Sequence, residues 1–202
     1  MESTSRTIEK RINSRRNSGE LIFPVDFRGS GTEAAIKMAL SRLSKEGVIK
    51  RIGHGIYLIP KRDEIFGDIL PGPQEVAESI AKKDKVRIMP SGATAMHKLG
   101  LTSQVPMKLV YLTDGPARQI KLGDTTIKFK PATPKKFAMK GKYSSLIIQA
   151  INEIGVENID SHYADKIKQL LNQENKAALK HDLRLASAKI NDYLVKLINN
   201  KV

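Results

Sequence analysis

The stretch Thr32–Pro60 reads TEAAIKMALSRLSKEGVIKRIGHGIYLIP. Its first half places apolar residues at the i, i+3, i+4 and i+7 spacing of an amphipathic helix, namely Ile36, Ala39, Leu40 and Leu43. Thr32 is suited to cap this helix, and Gly47 is typical of a helix end. The spacing therefore predicts one helix from about residue 33 to 46.

The second half of the stretch predicts a hairpin. Two β-rich runs, 48–52 and 56–59, flank the turn Gly53-His54-Gly55. Upstream, a first helix capped by Ser3 or Ser5 and a short helical turn near 25–28 precede the stretch. A helix, a glycine stop and a basic hairpin in this order predict an N-terminal winged helix-turn-helix.

The predicted helix carries a polar face that suits duplex DNA. Opposite the apolar stripe, we predict a DNA-binding face made of Lys37, Met38, Ser41, Arg42 and Lys45, with Thr32 at its start. These types can contact guanine acceptors, phosphates and thymine methyl groups. On the hairpin, Lys50, Arg51 and His54 are predicted to grip phosphates or the minor groove.

Two other interpretations of this region remain open. The charged residues of the helix can be no more than the solvated face of a surface helix. Alternatively, the winged helix is a protein-interaction module that does not touch DNA.

Composition favours a globular, cytoplasmic protein with polyanionic partners. The 202 residues are 40% hydrophobic and carry a net charge of +14, which favours nucleic acid first and an anionic membrane surface second. There is no Cys, which excludes disulfides and thiolate metal sites. The N-terminus lacks the apolar core of a secretory signal, and no window approaches the roughly 18 apolar residues of a membrane span, so we expect a soluble protein that does not span a membrane.

The rest of the chain alternates helical and β-rich patterns. The connector Leu70-Pro71-Gly72-Pro73 suggests a domain edge between about 62 and 72. Helices are predicted near 74–83, 93–99, 144–154, 161–173 and 182–199, and strands near 85–89, 108–113, 118–122 and 125–130. We therefore predict an α+β fold: a winged helix-turn-helix domain over 1–66, then a mixed α/β domain over 72–202, with a small sheet and C-terminal helices.

Three segments carry a family resemblance: LSRLSKEGVIKRIGHGIYLIP at 40–60, VRIMPSGATAMHKLGLTSQVP at 86–106 and LVYLTDGPARQIKLGDTTIKFKP at 109–131. Through them the chain resembles the AbiEi-type antitoxins and their transcriptional-regulator relatives over roughly residues 5–135. The C-terminal 60 residues match no motif of that family.

The resemblance implies a bacterial abortive-infection or toxin–antitoxin system. Such a protein would bind its own promoter, as double-stranded DNA, through the winged helix and so repress its own transcription. Its second domain would oppose a nucleotidyltransferase-like toxin, usually without a tight complex. A homodimer on DNA is a further expectation, because winged-helix regulators often bind symmetric sites in pairs; the late helix 182–199 is a candidate dimer seam or else part of the core.

The motif PSGATA, at 90–95, allows two interpretations. Ser91 can cap a helix whose small residues Gly92, Ala93 and Ala95 pack closely on a strand. Alternatively, the start of that helix forms a phosphate site.

The middle third of the chain is the most basic. Residues 71–142 carry 14 basic and 5 acidic side chains, a net charge of +9. We predict a secondary basic surface made of Lys121, Lys128, Lys130, Lys135 and Lys136. Lys128 and Lys130 alternate with Ile127 and Phe129 and so share one face of a strand, which can also be merely solvated.

The sequence gives no support for an enzyme. The four His are scattered without metal-ligand pairing, and there is no Walker A sequence, nucleophile elbow or close Asp-x-Asp pair. We therefore predict no catalytic residue, metal or cofactor. The leading hypothesis is a sequence-specific, autorepressing, antitoxin-like regulator; the alternative is an interaction module that neutralises a partner, with the winged helix as scaffold.

Overall fold

The computed structural model describes residues 3–199, which form a mixed α+β fold as predicted. The described chain divides into two compact units. The first extends to Ile80 and includes Ile120–Asp124; the second contains Ala81–Gln119 and the chain from Thr125 onward. The domain ranges 1–66 and 72–202 stay predictions, and their ends at 1–2 and 200–202 lie outside the described residues.

The first unit opens with two helices and the short elements between them. In chain order these are α1 (Thr4–Asn13), β1 (Leu21–Ile22), a 3₁₀ turn (Pro24–Phe27) and α2 (Glu33–Lys45). The strands that follow are β2 (Lys50–Gly53), β3 (Ile56–Leu58), β4 (Lys61–Asp63) and β5 (Gly67–Ile69). Helix α3 (Pro73–Asp84) comes next.

The β2–β3 hairpin is confirmed, and it belongs to a three-stranded antiparallel sheet of order β1-β3-β2. Leu21 pairs with Leu58 across β1 and β3, and Arg51 pairs with Tyr57 across β2 and β3. The register shifts between Arg51 and Gly53, as expected for an irregular hairpin end. Strand β1 was not predicted, because two residues are too few to show alternation.

The core of the first unit lies between α1, α2 and the sheet. The predicted stripe of α2 is confirmed: Ile36, Ala39, Leu40 and Leu43 are all buried. They pack with Ile8 and Ile12 of α1 and with Phe27 and Ile59. Burying Leu40 and Leu43 fully stabilises the unit by roughly 1.5–3 kcal/mol for each side chain.

The antiparallel β4–β5 pair is a second hairpin, which was not predicted from the sequence. The sequence predicts only a domain edge between about 62 and 72 here, because Lys61-Arg62-Asp63 shows no apolar alternation. The strands are exposed along almost their whole length, so no buried face marks them in the sequence.

A four-stranded sheet follows, most of which belongs to the second unit. Its strands are β6 (Ile88–Pro90), β7 (Lys108–Thr113), β8 (Arg118–Leu122) and β9 (Thr125–Pro131), in the order β6-β7-β9-β8, and helix α4 (Ala93–Lys98) lies between β6 and β7 in the chain. The residues of β8 from Ile120 onward are assigned to the first unit. Strands β6 and β7 are antiparallel, whereas β7 and β9 are parallel. Tyr111 and Phe129 face each other in register and stack, with ring centroids 6.1 Å apart.

Helices complete the second unit. They are α5 (Pro134–Phe137), α6 (Ser144–Ile154), a 3₁₀ turn (Val156–Asn158), α7 (Ser161–Asn172), α8 (Lys176–Leu185) and α9 (Ala188–Asn199). Their core combines Ile147 and Ile151 of α6 with Ile167, Ile190 and Leu194.

Three local predictions differ from the structure. The single helix predicted at 182–199 is two helices, α8 and α9, because Ala186 adopts an extended conformation between them. Ser91 does not cap α4 with its side chain; Gly92 is the N-cap residue, with φ +56 and no side-chain cap. The strand predicted at 85–89 is β6, which starts only at Ile88.

Candidate nucleic-acid interface

Local hydrogen bonds fix both ends of α2. The Thr32 hydroxyl accepts the Ala35 N–H at 3.3 Å, so Thr32 is the predicted N-cap. At the other end Gly47 has φ +75, a left-handed conformation that glycine adopts without strain. The Val48 and Ile49 N–H groups both donate to the Leu43 carbonyl, at 3.0 and 3.4 Å, which turns the chain toward β2.

The predicted DNA-binding side chains of α2 lie on its solvent face. Lys37, Met38, Arg42 and Lys45 are exposed, and Ser41 is half-buried. Met38 is 73% exposed, although an apolar side chain of this size gains by burial. The face therefore combines cations, a hydroxyl and an accessible apolar side chain.

Two of these cations are held by acidic neighbours one helical turn away. Lys37 Nζ lies 2.6 Å from Glu33 Oε1, and this hydrogen bond holds the pKa of the Glu33 carboxyl below its usual value. Arg42 Nε lies 3.4 Å from Glu46 Oε1, and Arg42 also donates to the Ser5 hydroxyl of α1. Exposed pairs of this kind contribute only about 0–1 kcal/mol each, so they can exchange partners at little cost.

The β2–β3 hairpin positions its basic residues near its end. Lys50 and Arg51 are exposed on β2, and His54 is exposed in the turn. Arg51 Nε donates to the Gly53 carbonyl at 3.3 Å, and Arg51 Nη2 lies 3.3 Å from His54 Nδ1. Arg51 and His54 are thus neighbours, and all nine predicted DNA-binding residues lie in the first unit.

The residues that hold the turn before α2 were not predicted from the sequence. Arg11 donates to the Asp26 carbonyl at 2.9 Å and to the Ser30 hydroxyl at 3.3 Å, and its guanidinium lies 4.9 Å from the centre of the Phe27 ring. Arg28 is exposed in the same turn and contributes to the lowered pKa of Glu33. Arg28 could have been identified from the sequence, because it stands directly before the turn Gly29-Ser30-Gly31 and the start of α2.

The predicted secondary basic surface is divided between the two units. Lys121 belongs to the segment Ile120–Asp124 of the first unit. The other members lie in the second unit, with Lys128 and Lys130 on β9 and Lys135 and Lys136 on α5. The predicted alternation on β9 is confirmed, since Ile127 and Phe129 are buried, Lys128 is half-buried and Lys130 is exposed.

A buried carboxylate organises the basic loop that follows these lysines. Asp182 is fully buried and accepts the N–H groups of Lys140 at 2.8 Å and Gly141 at 2.9 Å and the Ser144 hydroxyl at 2.6 Å. Its Oδ1 also lies 3.1 Å from His181 Nδ1. Burial alone would raise the pKa of this carboxyl, but the hydrogen bonds outweigh it and hold the pKa below its usual value.

Glu174 holds the same loop from the other side. Its Oε2 accepts the N–H groups of Tyr143 at 2.6 Å and Ser144 at 2.9 Å, at the start of α6. Burial of Glu174 tends to raise the pKa of its carboxyl, but the backbone hydrogen bonds outweigh burial and hold the pKa below its usual value. No pattern in the sequence marked these two carboxylates, because their partners lie 30 or more residues away.

The start of α4 does not favour the phosphate interpretation of the PSGATA motif. A side-chain carbon placed on Gly92 would lie 3.1 Å from the side chain of Glu153, so that carboxylate sits against the helix start. Its negative charge would repel a phosphate, and α4 has only six residues. The contact supports the interpretation that Gly92 allows close packing.

Among residues 3–199, no helix has both the length and the apolar character needed to cross a membrane.

A comparison of the sequence with curated proteins finds no match. A family model does match the chain, over residues 7–179, which covers most of both units. By this match the chain belongs to the family described as a family of unknown function, DUF6088.

Proposed function

We propose that this protein is a sequence-specific DNA-binding transcriptional regulator of the winged helix-turn-helix type. One observation carries the proposal: α2 buries its apolar stripe in the first unit and leaves Lys37, Met38 and Arg42 exposed on the opposite face. The exposed cations Lys50 and Arg51 follow directly on β2. A packed helix with a free polar face of helical width is what insertion into a major groove requires.

The arrangement of the surrounding elements supports the same proposal. A short helical turn precedes α2, a hairpin follows it, and β1 pairs with the second hairpin strand to give the order β1-β3-β2. This order is typical of winged helices. The turn before α2 is held by Arg11, which donates to the Asp26 carbonyl and the Ser30 hydroxyl.

The ion pairs on α2 are compatible with DNA binding. Lys37 and Arg42 contact Glu33 and Glu46 across exposed surface, and such pairs contribute little to stability. A phosphate or a guanine edge can therefore replace the carboxylate at low cost. Met38, between them, is accessible to a thymine methyl group.

We further propose an antitoxin-like role, which rests on the resemblance to the AbiEi-type antitoxins. In this role the chain represses its own promoter in a bacterial cytoplasm and opposes a nucleotidyltransferase-like toxin without a tight complex. The proposal assigns it no catalytic residue and no cofactor. Co-expression with a neighbouring nucleotidyltransferase-like gene tests this role, and continued growth arrest by that gene's product would contradict it.

DNA binding is tested by fluorescence anisotropy with the chain's own upstream region and a random duplex of equal length at one salt concentration. We expect the upstream region to bind at least ~10-fold more tightly, whereas equal affinities would refute sequence-specific repression. A protein that binds neither duplex would favour the interaction-module alternative.

The variant Lys37→Ala/Ser41→Ala/Arg42→Ala identifies the reading residues. It is expected to lose discrimination between the two duplexes, because each base contact contributes about 1–3 kcal/mol of it. The matched control Lys176→Ala/Arg184→Ala removes the same number of cations from exposed positions of α8 and should retain discrimination.

A further inference from the structure

The β4–β5 hairpin presents large apolar side chains to solvent. Ile65 and Phe66 at its tip are 85% and 82% exposed, and Ile69 and Leu70 are also exposed. These four residues lie within six positions of one another. A cluster of exposed apolar side chains on a soluble surface marks a site of interaction.

The tip is held in one shape before it meets a partner. The Asp63 carboxylate accepts the N–H groups of Ile65 at 2.9 Å and Phe66 at 3.0 Å, and these bonds lower its pKa. At the base of the hairpin, the Arg62 N–H donates to Asn17 Oδ1 at 2.7 Å. A two-stranded hairpin is marginal by itself, so these anchors reduce the entropy that binding would otherwise cost.

The charge of the hairpin differs from that of the whole chain. Its tip, from Asp63 to Gly67, contains the acidic residues Asp63 and Glu64 and no basic one, whereas the chain carries +14. Asp68 lies outside the tip and pairs with Arg62 at 3.3 Å, so its charge is balanced within the hairpin. Such a tip repels nucleic acid and repels the same tip of another molecule. It is attracted to a basic surface with exposed apolar side chains.

This chain itself offers a surface of that kind. Val105 and Met107 are exposed apolar residues in the second unit, and exposed Lys108 follows them at the start of β7. The segment 103–108 contains no acidic residue. It therefore complements the hairpin tip in both polarity and charge.

We propose that the hairpin tip of one copy of this chain docks on the Val105–Lys108 segment of a second copy, so that the protein self-associates. Each copy carries both surfaces, so every copy can supply the hairpin tip to one contact and the Val105–Lys108 segment to another. A contact of hairpin size falls at the low end of protein interfaces, below about 1,200 Å². The association is therefore weak and depends on concentration.

Sedimentation equilibrium of the chain without DNA tests the proposal over a series of concentrations. We expect the mass to rise from 22.4 kDa toward twice that value. Ile65→Ser/Phe66→Ser and, separately, Val105→Ser/Met107→Ser are expected to stay at 22.4 kDa. Circular dichroism of these variants should match that of the unaltered chain, because all four side chains are exposed.

A charge exchange tests which surfaces meet. Glu64→Lys and Lys108→Glu are each expected to weaken association several-fold, and the double variant Glu64→Lys/Lys108→Glu is expected to restore it. Absence of this restoration would overturn the pairing of the two segments. Glu64 serves here because Asp63 is needed for the shape of the tip.

Three further outcomes would overturn the proposal. A mass of 22.4 kDa at every concentration would exclude self-association. A Val195→Ser variant that becomes monomeric, while the hairpin variants still associate, would assign the interface to α9. Hairpin variants that keep the mass of the unaltered chain but lose affinity for duplex DNA would show that the tip contacts DNA. The mass is measured without DNA, so failure here is distinguishable from failure of the proposed DNA binding.

Discussion

The exposed face of α2 and the loop around Gly141 use charged side chains in opposite ways. On α2, Lys37 and Arg42 contact carboxylates one helical turn away across solvent. Around Gly141, Asp182 is buried and every hydrogen bond it makes is part of the fold. The exposed cations of α2 can therefore exchange their carboxylate partners for a ligand at low cost, whereas the hydrogen bonds of Asp182 serve to stabilise the fold.

Asp182→Ala is expected to produce the largest effect. The substitution leaves the Lys140 and Gly141 N–H groups and the Ser144 hydroxyl without their acceptor, which should lower the free energy of unfolding by about 3 kcal/mol. Urea denaturation measures this loss. Asp192→Ala, on the exposed surface of α9, is the control and should change stability by less than about 0.5 kcal/mol. If both variants lost the same free energy of unfolding, Asp182 would stabilise the fold no more than an exposed carboxylate does.

The dependence of stability on pH should come largely from the same loop. The pKa values of Asp182 and Glu174 are lower in the folded protein than in the unfolded chain, where Asp and Glu titrate near pH ~4. Their contribution is therefore complete above pH ~4 and is lost as the pH falls through the lower folded values. Urea denaturation at a series of pH values between about 2 and 6 should show this fall, and Asp182→Asn/Glu174→Gln should flatten it. An unchanged slope in that variant would assign the pH dependence to other carboxyls.

The same contrast explains how much of this molecule could be predicted from its sequence. The helix α2 and the alternation on β9 were predictable, because Ile36, Leu40 and Leu43 repeat with a helical period and Ile127 and Phe129 with a strand period. The β4–β5 hairpin was not, because its residues are exposed on both faces and show no period.

Long-range contacts account for most of the rest. The sequence pattern predicts Asp182 as the first residue of a helix over 182–199, whereas it lies within α8 (Lys176–Leu185). Its partners lie in the loop 140–144, some 40 residues earlier, and no local pattern encodes them. The break between α8 and α9 at Ala186 likewise has no glycine or proline to announce it. For the candidate DNA surface, the residue types and helix faces were predictable. The hydrogen bond from Arg42 to Ser5 and the contact between Arg51 and His54 were not.

The lysines of β9 extend the comparison to the second unit. If Lys128 and Lys130 contact DNA phosphates, Lys128→Ala/Lys130→Ala should reduce the slope of log affinity against log salt concentration by about 2. Anisotropy titrations between 50 and about 200 mM salt measure the slope. The matched variant Lys176→Ala/Lys180→Ala, on α8, should leave it unchanged. Unchanged slopes in both variants would mean that the β9 lysines are only solvated.

Thr32→Ala should have the smallest effect, and it separates two roles of one residue. Thr32 is a predicted DNA contact, and its hydroxyl also caps α2 by accepting the Ala35 N–H at 3.3 Å. Loss of the cap should cost about 1 kcal/mol of stability, whereas Thr32→Ser keeps a hydroxyl and should restore most of it. DNA affinity is then compared at a temperature where all three proteins are fully folded. If Thr32→Ala binds as tightly as the unaltered chain, Thr32 acts only as a cap and belongs with Asp182 among the structural residues. If the affinity falls for the upstream region and recovers in Thr32→Ser, the hydroxyl contacts DNA, and the reading face begins at the cap of α2.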